Sequence, residues 1–460
     1  MRPEDVKTVI PDGLIKSCCH LCHCCCEVVV TVGDGAVKKI EGDPSSPHSR
    51  GMLCSKGLAS RQLLYHPERL TRPLMRVGER GEGRWREASW EEALGTIAER
   101  LLEIRERYGP QAVAFGQGTD RGWFNVFVRL ANSFGSPNWG EPGMAQCFYP
   151  RATASALTFG TELMECPSYE KTRCMLLWGI KPSATWAQKA SYMMDARARG
   201  ARLIVVDPRF IPMAAKADIW LRPRPGTDCA LALGMLNVIL EEGLYERDFI
   251  ERWTIGFEEL RARAGEYPLA KVETITWVPA EKIRAAARLF AENKPACITQ
   301  CLALDQNIDT IQTSRAINLL TALTGNVDIP GGNVMDMFVG SGYPDIWRQN
   351  FERRDAISEE MWEKRLGARE YPLLSGREAI LAPGAHMPTV WEAMLAGKPY
   401  PIKAMVIHGS NTVVSFAHSQ RVREALLTLD FISVAECFMT ETTSLADVVL
   451  PAGTWLEWDS

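Results

Sequence analysis

Two stretches of this chain share one pattern, and that repeat limits the architecture more than any other feature. "MLLWGIKPSATWAQKASYMMDARARGARLIVVDPR" gives an apolar run, a glycine turn, a helical stretch of about four turns and a second apolar run. "AMVIHGSNTVVSFAHSQRVREALLTLDFISVAECF" gives the same order. The first continues to "KADIWLRPRPGTD" and the second to "LADVVLPAGTWLE", so the punctuation matches as well. Two strand–helix–strand units of one layout predict two similar α/β domains, each built on a parallel sheet. A chain of 460 residues, 46% of them hydrophobic, has material for two or more such cores.

Open parallel sheets take ligands beyond the carboxyl ends of their strands. In this chain those ends carry "WGIKP", "VVDPR", "RPGTD", "HGSN" and "AECFMTET". Glycine lets a backbone approach a phosphate closely, and helix N-termini attract anions. Asp207 and Asp228 are suited to accept hydrogen bonds from a base or ribose, and Arg209 to pair with a phosphate. A glycine turn after a strand is by itself an ordinary turn. Two matched units point to two related nucleotide-like ligands.

The cysteines are distributed unevenly. Seven of the 14 lie in the first 54 residues, six of them in "SCCHLCHCCCEVVV". The opening "MRPEDVKTVIPDG" has no apolar signal core and no twin-arginine pattern, and a disulfide framework would spread its pairs, so the concentration reads as a metal site. The favoured ligand register is Cys19, Cys22, Cys26 and Cys54, three thiolates on one loop and a fourth from a later one. Such a set can hold a [4Fe-4S] cluster or a structural zinc ion. Cys18, Cys24 and Cys25 are surplus and leave room for a slip of one. Between the third and fourth ligands, "EVVVTVGDGAVKKIEGD" predicts a hairpin that returns the chain so that Cys54 meets the others.

A net charge of -4 argues against nucleic acid as the main partner. No apolar run reaches the roughly 18 residues of a membrane span; "CALALGMLNVIL" from Cys229, after the capping-type "GTD", reads as a buried helix. The expectation is a cytoplasmic chain, unless a partner carries it elsewhere.

The segment "CHLCHCCCEVVVTVGDGAVKKIEGDPSSPHSRGMLCSKG" resembles the N-terminal iron–sulfur segment of the molybdopterin oxidoreductase family, whose motif ends in Cys-x-Lys-Gly, here Cys54 to Gly57. That family includes formate dehydrogenases, nitrate and polysulfide reductases, and acetylene hydratase. The resemblance implies a [4Fe-4S] cluster, two molybdopterin guanine dinucleotides on two related α/β domains facing a central crevice, and molybdenum or tungsten. Lys56 would then lie between cluster and pterin. "DPR" and "RPGTD" match family motifs, so the resemblance assigns Asp207, Arg209, Gly226, Thr227 and Asp228 to the dinucleotides, and the loops "WGIKP" and "HGSN" add Gly179, Lys181, Gly409 and Asn411. Lys181 stands where the family has Asn, and Thr412 where proline is common. "LTALTGNVDIPGGN" reads as the segment that closes the first α/β domain.

In "FGSPNWGEPGMAQCFYPRATASALTFG" the resemblance makes Cys147 the protein ligand to the metal, its sulfur pointing into the crevice near Lys56. Thiolate is a soft donor suited to a centre already held by dithiolenes. Formate dehydrogenases place His after that ligand and this chain has Phe148, which disfavours formate. Phe148–Tyr149 reads as an apolar pocket floor and Arg151 as an anion-binding group, or both Tyr149 and Arg151 as solvent-facing residues. His23 occupies the position of the acetylene hydratase aspartate, where redox members also carry His. His386 and His408 read as structural.

The implied domains are 1–66 for the cluster, 146–334 for the first repeat, and 67–145 with 335–460 for the second. A family β domain that would clasp both dinucleotides is expected to be missing, as in a fragment or one half of a split protein. The leading expectation is an oxidoreductase passing electrons from a small-molecule substrate to the cluster and on to an electron-transfer protein or iron–sulfur subunit. The alternatives are a hydratase, or a pterin-free electron-relay subunit.

Overall fold

The computed structural model of the chain describes residues 12–22, 24–119, 124–160, 166–335, 353–377, 379 and 383–458. The chain divides into two compact units. One comprises Met1–Pro142, Tyr343–Tyr371 and Gly384–Ser460, the other Gly143–Gly342 and Pro372–Pro383.

The first unit opens with an antiparallel sheet of β1 (Gly13–Cys18), β2 (Glu27–Gly33) and β3 (Ala36–Gly42), in that order. β2 and β3 are the predicted hairpin, turning at Asp34–Gly35. Buried residues alternate along β2, so Val28, Val30 and Val32 line one face. They form a small core with Cys19, Cys26, Val37, Ile40 and Trp455, against which Leu53 and Trp458 pack. β1 carried no clear signal, because its "GLIKSC" lacks a clean alternation and stays largely exposed.

The same unit holds a seven-stranded sheet ordered β5-β4-β16-β15-β14-β6-β7. β4 is Leu74–Arg76, β5 Trp85–Glu87, β6 Val113–Gln117 and β7 Trp139–Gly140, and the second repeat supplies β14 (Ala404–His408), β15 (Phe431–Glu436) and β16 (Val448–Pro451). From β16 to β7 the pairing is parallel, and β4 and β5 add an antiparallel edge.

The second unit carries the first repeat as a four-stranded parallel sheet ordered β11-β10-β9-β12. β9 is Cys174–Trp178, β10 Arg202–Val206, β11 Ile219–Leu221 and β12 Ala296–Gln300. A two-stranded pair, β8 (Cys166–Pro167) with β13 (Asn333–Val334), adjoins it. All five residues of β9 are buried, as expected of a parallel strand covered on both faces. The helix Asp228–Glu241 is buried from Ala230 through Leu240. Its N-cap Thr227 makes no side-chain cap; the hydroxyl instead donates back to the Arg224 carbonyl at 2.6 Å. The "LTALTGNVDIPGGN" segment finishes this sheet through two asparagines. The Asn326 side-chain oxygen accepts the Ala296 N–H and that of Asn333 the Ile298 N–H, each at 2.8 Å.

The two sheets share one plan. β16-β15-β14-β6 repeats β11-β10-β9-β12, and the cross-strand partners correspond: Trp178 faces Val206 and Gln300, while His408 faces Ala435 and Gln117. The fourth strand differs only in origin. β12 follows its repeat in the chain, whereas β6 precedes its own.

Candidate functional site

At the cysteine end, the Cys19 N–H donates to the Cys26 carbonyl at 2.9 Å. Cys19 and Cys26 are buried, Cys22 and Cys54 half-buried, and Cys25 exposed. Burial first, and then the neighbouring Cys19, Cys22 and Cys54 thiols, push Cys26 up to about 11. Burial likewise raises Cys19, with Cys22, Cys54 and Cys25 adding to it. Cys22 and Cys54 therefore lie within electrostatic range of both Cys19 and Cys26, with Cys25 in range of Cys19 as well. Among the described residues no three His, Cys, Asp or Glu side chains are gathered tightly enough to hold a single metal ion. Cys18 answers to a different neighbour, being raised by burial and by Glu27. His23 lies outside the described residues.

Cys54 precedes the short helix Ser55–Leu58, which carries Lys56 exposed and Gly57 buried. A side chain at Gly57 would collide with Leu53, which explains the glycine of the Cys-x-Lys-Gly run. Trp455 donates to the Ser60 hydroxyl at 3.1 Å, and the Trp458 ring lies 5.2 Å from that of His20. These tryptophans brace the cysteine segment from the far end of the chain, a contact no local pattern announced.

In the first repeat the loops at the strand ends carry the predicted residues. Gly179 takes a left-handed turn (φ 63°) directly after β9, and Lys181 stands at the N-cap position of the four-residue helix Pro182–Thr185. Asp207, at 2% exposure, accepts the Arg209 N–H at 2.8 Å and both ends of its guanidinium, at 3.2 and 3.3 Å. Asp228 accepts the Trp178 indole N–H at 2.8 Å, and burial raises its carboxyl above the usual range. Gly226 turns the chain (φ 79°) just ahead of Thr227 and that helix. Much of the hydrogen-bonding capacity of the first-repeat residues is therefore already used within the protein.

The second repeat matches these positions. Gly409 (φ 56°) corresponds to Gly179, and Asn411 stands at the N-cap position of the helix Thr412–Ser415 as Lys181 does in its own, neither making a side-chain cap. The Asn411 amide donates to Glu441 at 2.9 Å and accepts the Thr442 hydroxyl at 2.8 Å, so it holds the loop together. Glu436, the counterpart of Asp207, accepts the Cys437 N–H at 2.7 Å; burial raises its carboxyl, with His408 pulling the other way. His408, read from the sequence as structural, ends β14 at this site and stacks on Phe127 at 5.7 Å. His386 fits the structural reading, bonded to Thr389 at 2.9 Å, stacked on Tyr371 and lowered by burial to about 4.

Sequence reasoning missed Gln117. It ends β6 beside His408, is 1% exposed, and neither atom of its amide meets a partner among the described residues. Only its place at a strand's carboxyl end could have pointed to it, and β6 lies outside the repeats.

Cys147 is half-buried at the N-cap of the helix Phe148–Phe159. Phe148 and Tyr149 meet edge to face, their ring centres 6.4 Å apart. Tyr149 is buried, and Arg151 is neither solvent-facing nor open to an anion. Its guanidinium is 5% exposed, pairs with the fully buried Asp305 carboxylate, and donates to the Gln300 carbonyl at 3.1 Å. One helical turn beyond Cys147, this pair ties the helix to the end of β12. Cys147 belongs to the second unit and Lys56 to the first.

The model described as "Molybdopterin oxidoreductase" matches residues 69–460, and that for the "Molybdopterin oxidoreductase Fe4S4 domain" matches 14–66. The chain belongs to the molybdopterin oxidoreductase family. Within it, the acetylene hydratase of Syntrophotalea acetylenica is 35% identical over 464 residues, covering 95% of this chain and 62% of that protein. Formate dehydrogenase H of Escherichia coli (strain K12) is 29% identical over 462 residues, with 96% and 62% covered. The solved structure of acetylene hydratase from Pelobacter acetylenicus matches with a TM-score of 0.86 at 33% identity, covering 96% of this chain and 63% of that one. The chain thus spans about three fifths of the length of these molybdopterin oxidoreductase relatives. No helix among its described residues is long and apolar enough to cross a membrane.

Proposed function

We propose that this chain is the cluster- and pterin-binding part of a molybdenum- or tungsten-bis(molybdopterin guanine dinucleotide) oxidoreductase. The observation that carries the reading is the set of four thiols, Cys19, Cys22, Cys26 and Cys54, that share one electrostatic neighbourhood at the family's iron–sulfur segment. They fit a [4Fe-4S] cluster, which needs four thiolates from two loops. Because burial holds Cys19 and Cys26 protonated, loading the cluster releases protons and is favoured by raising the pH. The two repeats fit dinucleotides through Gly179 and Gly409 at their strand ends, with Lys181, Asp207, Arg209, Gly226, Thr227, Asp228 and Asn411 around them.

The bound pterin and metal supply the redox chemistry at a small substrate, and the cluster relays electrons toward a partner protein. The chain's own residues set access and geometry. Cys147 offers a thiolate to the metal, and Arg151 with Asp305 fixes the helix that begins beside it. Phe148 and Tyr149 add apolar surface next to that thiol. Lys56 stands exposed on the helix that follows Cys54. An acidic group at His23, as in the aspartate alternative, is absent from the sequence.

A second reading is hydration of an unsaturated substrate without net electron transfer, which the likeness to acetylene hydratase in sequence and in fold favours. Anaerobic protein titrated by EPR separates the two. Oxidoreduction predicts a metal signal that responds to substrate and to reductant, and turnover that stops without an electron acceptor. A silent metal with water added to the substrate would install the hydratase reading. An iron–sulfur signal with no extractable pterin would defeat both. Iron and labile sulfide should disappear in Cys26→Ser and persist in Cys18→Ser; the reverse would shift the register.

A further inference from the structure

Gln117 presents a buried primary amide whose nitrogen and oxygen both lack partners among the described residues. Buried polar groups are nearly always hydrogen-bonded, so one left open at both ends needs a cause. Its place supplies one. β6 runs parallel to β14 with Gln117 opposite His408, and the next residue, Gly118, donates to the His408 carbonyl at 2.9 Å. This is the carboxyl end of the sheet, where open parallel sheets take their ligands. Strand alternation puts Gln117 on the face of Phe115, whose ring meets Phe127 and Phe134, and Phe127 also stacks on His408. The amide therefore stands at the end of an aromatic floor.

The first repeat has a glutamine at the equivalent position. Gln300 ends β12 opposite Trp178, but its amide nitrogen donates to the Asn318 side chain at 2.7 Å, leaving only the oxygen open. The second sheet has no such tether on Gln117.

We propose that the Gln117 amide hydrogen-bonds the ligand of the second repeat through a 2-amino-4-oxopyrimidine edge, the donor–acceptor edge that pterin and guanine share. A primary amide offers an acceptor and donors side by side. A phosphate only accepts, so it would leave the Gln117 oxygen unsatisfied. An edge carrying N–H next to C=O engages both atoms at once. The inference rests on the cofactor reading under Proposed function and adds to it a specific residue and a specific edge.

The test uses the full chain freed of cofactor, with GDP and 6-methyltetrahydropterin as probes, read by thermal melting and equilibrium binding. Gln117→Leu removes an unsatisfied amide, so the unloaded variant should melt at or above the wild-type temperature. It should also bind one probe roughly tenfold more weakly or worse, with a smaller ligand-induced rise in melting temperature. GDP affected alone assigns the guanine edge, and the pterin affected alone assigns the pterin edge. Gln117→Glu, which keeps the shape and removes the amide donors, should show the same selective loss. Both variants binding both probes as wild type does would overturn the inference, while leaving the cofactor reading standing. An unloaded Gln117→Leu chain that melts well below wild type would also overturn it, since the amide would then be structural. Wild-type protein that binds neither probe would bring down the cofactor reading and this inference together.

Discussion

The two repeats are alike in backbone and different in how their polar groups are satisfied. In the first, Asp207 holds Arg209, Gln300 holds Asn318, and Arg151 with Asp305 locks the strand end to a helix. In the second, Glu436 carries a carboxyl raised by burial, and the Gln117 amide has no partner among the described residues. The position of Arg209, two residues beyond the carboxylate, is taken by Phe438 in the second repeat. The difference is one of degree: the first sheet leaves single atoms of Gln300 and Asn318 open and a carboxyl, Asp228, raised by burial, while the second leaves a whole amide open among the described residues.

The largest effect should come from Asp305→Ala, which leaves the Arg151 guanidinium buried without its carboxylate. Breaking a buried pair from one side costs about 3–5 kcal/mol, so urea unfolding of the second unit should move by that order. A shift below about 1 kcal/mol would show that the first repeat is not fixed by this pair, and the contrast would weaken. Next comes Gly118→Ala. A Cβ there would collide with the Gly409 carbonyl, whereas the equivalent residue of the first repeat, Cys301, already carries one. Overpacking of that kind costs roughly 1–3 kcal/mol, and thermal melting should place the loss in the first unit.

The sharpest comparison is smaller. Asp207→Asn should destabilise the unloaded chain by about 1 kcal/mol at pH 7, because Arg209 loses its charged acceptor. Glu436→Gln should act in the opposite direction. A carboxyl raised in the folded state contributes stability that is fully present below its unfolded value and is lost as the pH rises through the folded one. The Gln variant escapes that loss and should gain on wild type between acid and neutral pH, by a modest amount. Melting curves for both variants across that range decide the matter; changes of equal sign would dissolve the distinction between the repeats.

These contrasts mark how far the sequence could be read. The strands of each repeat were legible because parallel strands buried on both faces leave continuous apolar runs, as in "CMLL" and "MVI". The hairpin between Cys26 and Cys54 was legible from alternation and its turn. The fourth strands were not, since β6 and β12 lie outside the matched units and pair with them only in space. That is why Asn411, conspicuous in its motif and bonded to Glu441 and Thr442 within its loop, was legible while Gln117 was not. Arg151 was misread for the same reason: its partner lies 154 residues away.

The differing origin of the fourth strand has a consequence for the order in which the molecule assembles. The four strands of the first-repeat sheet, Cys174 to Gln300, lie within one continuous stretch and can pair soon after it leaves the ribosome, with Asn326 and Asn333 following a short way behind. The second sheet cannot, because β6 is made before the first repeat and must wait for β14, synthesised after it. Pairing across so long a separation is intrinsically slow. During that interval "VAFGQ", every residue of which is buried in the finished protein, is an apolar strand without neighbours. Nascent or thermally opened chains should therefore aggregate through the first unit, while the second behaves as an early, self-sufficient folding module.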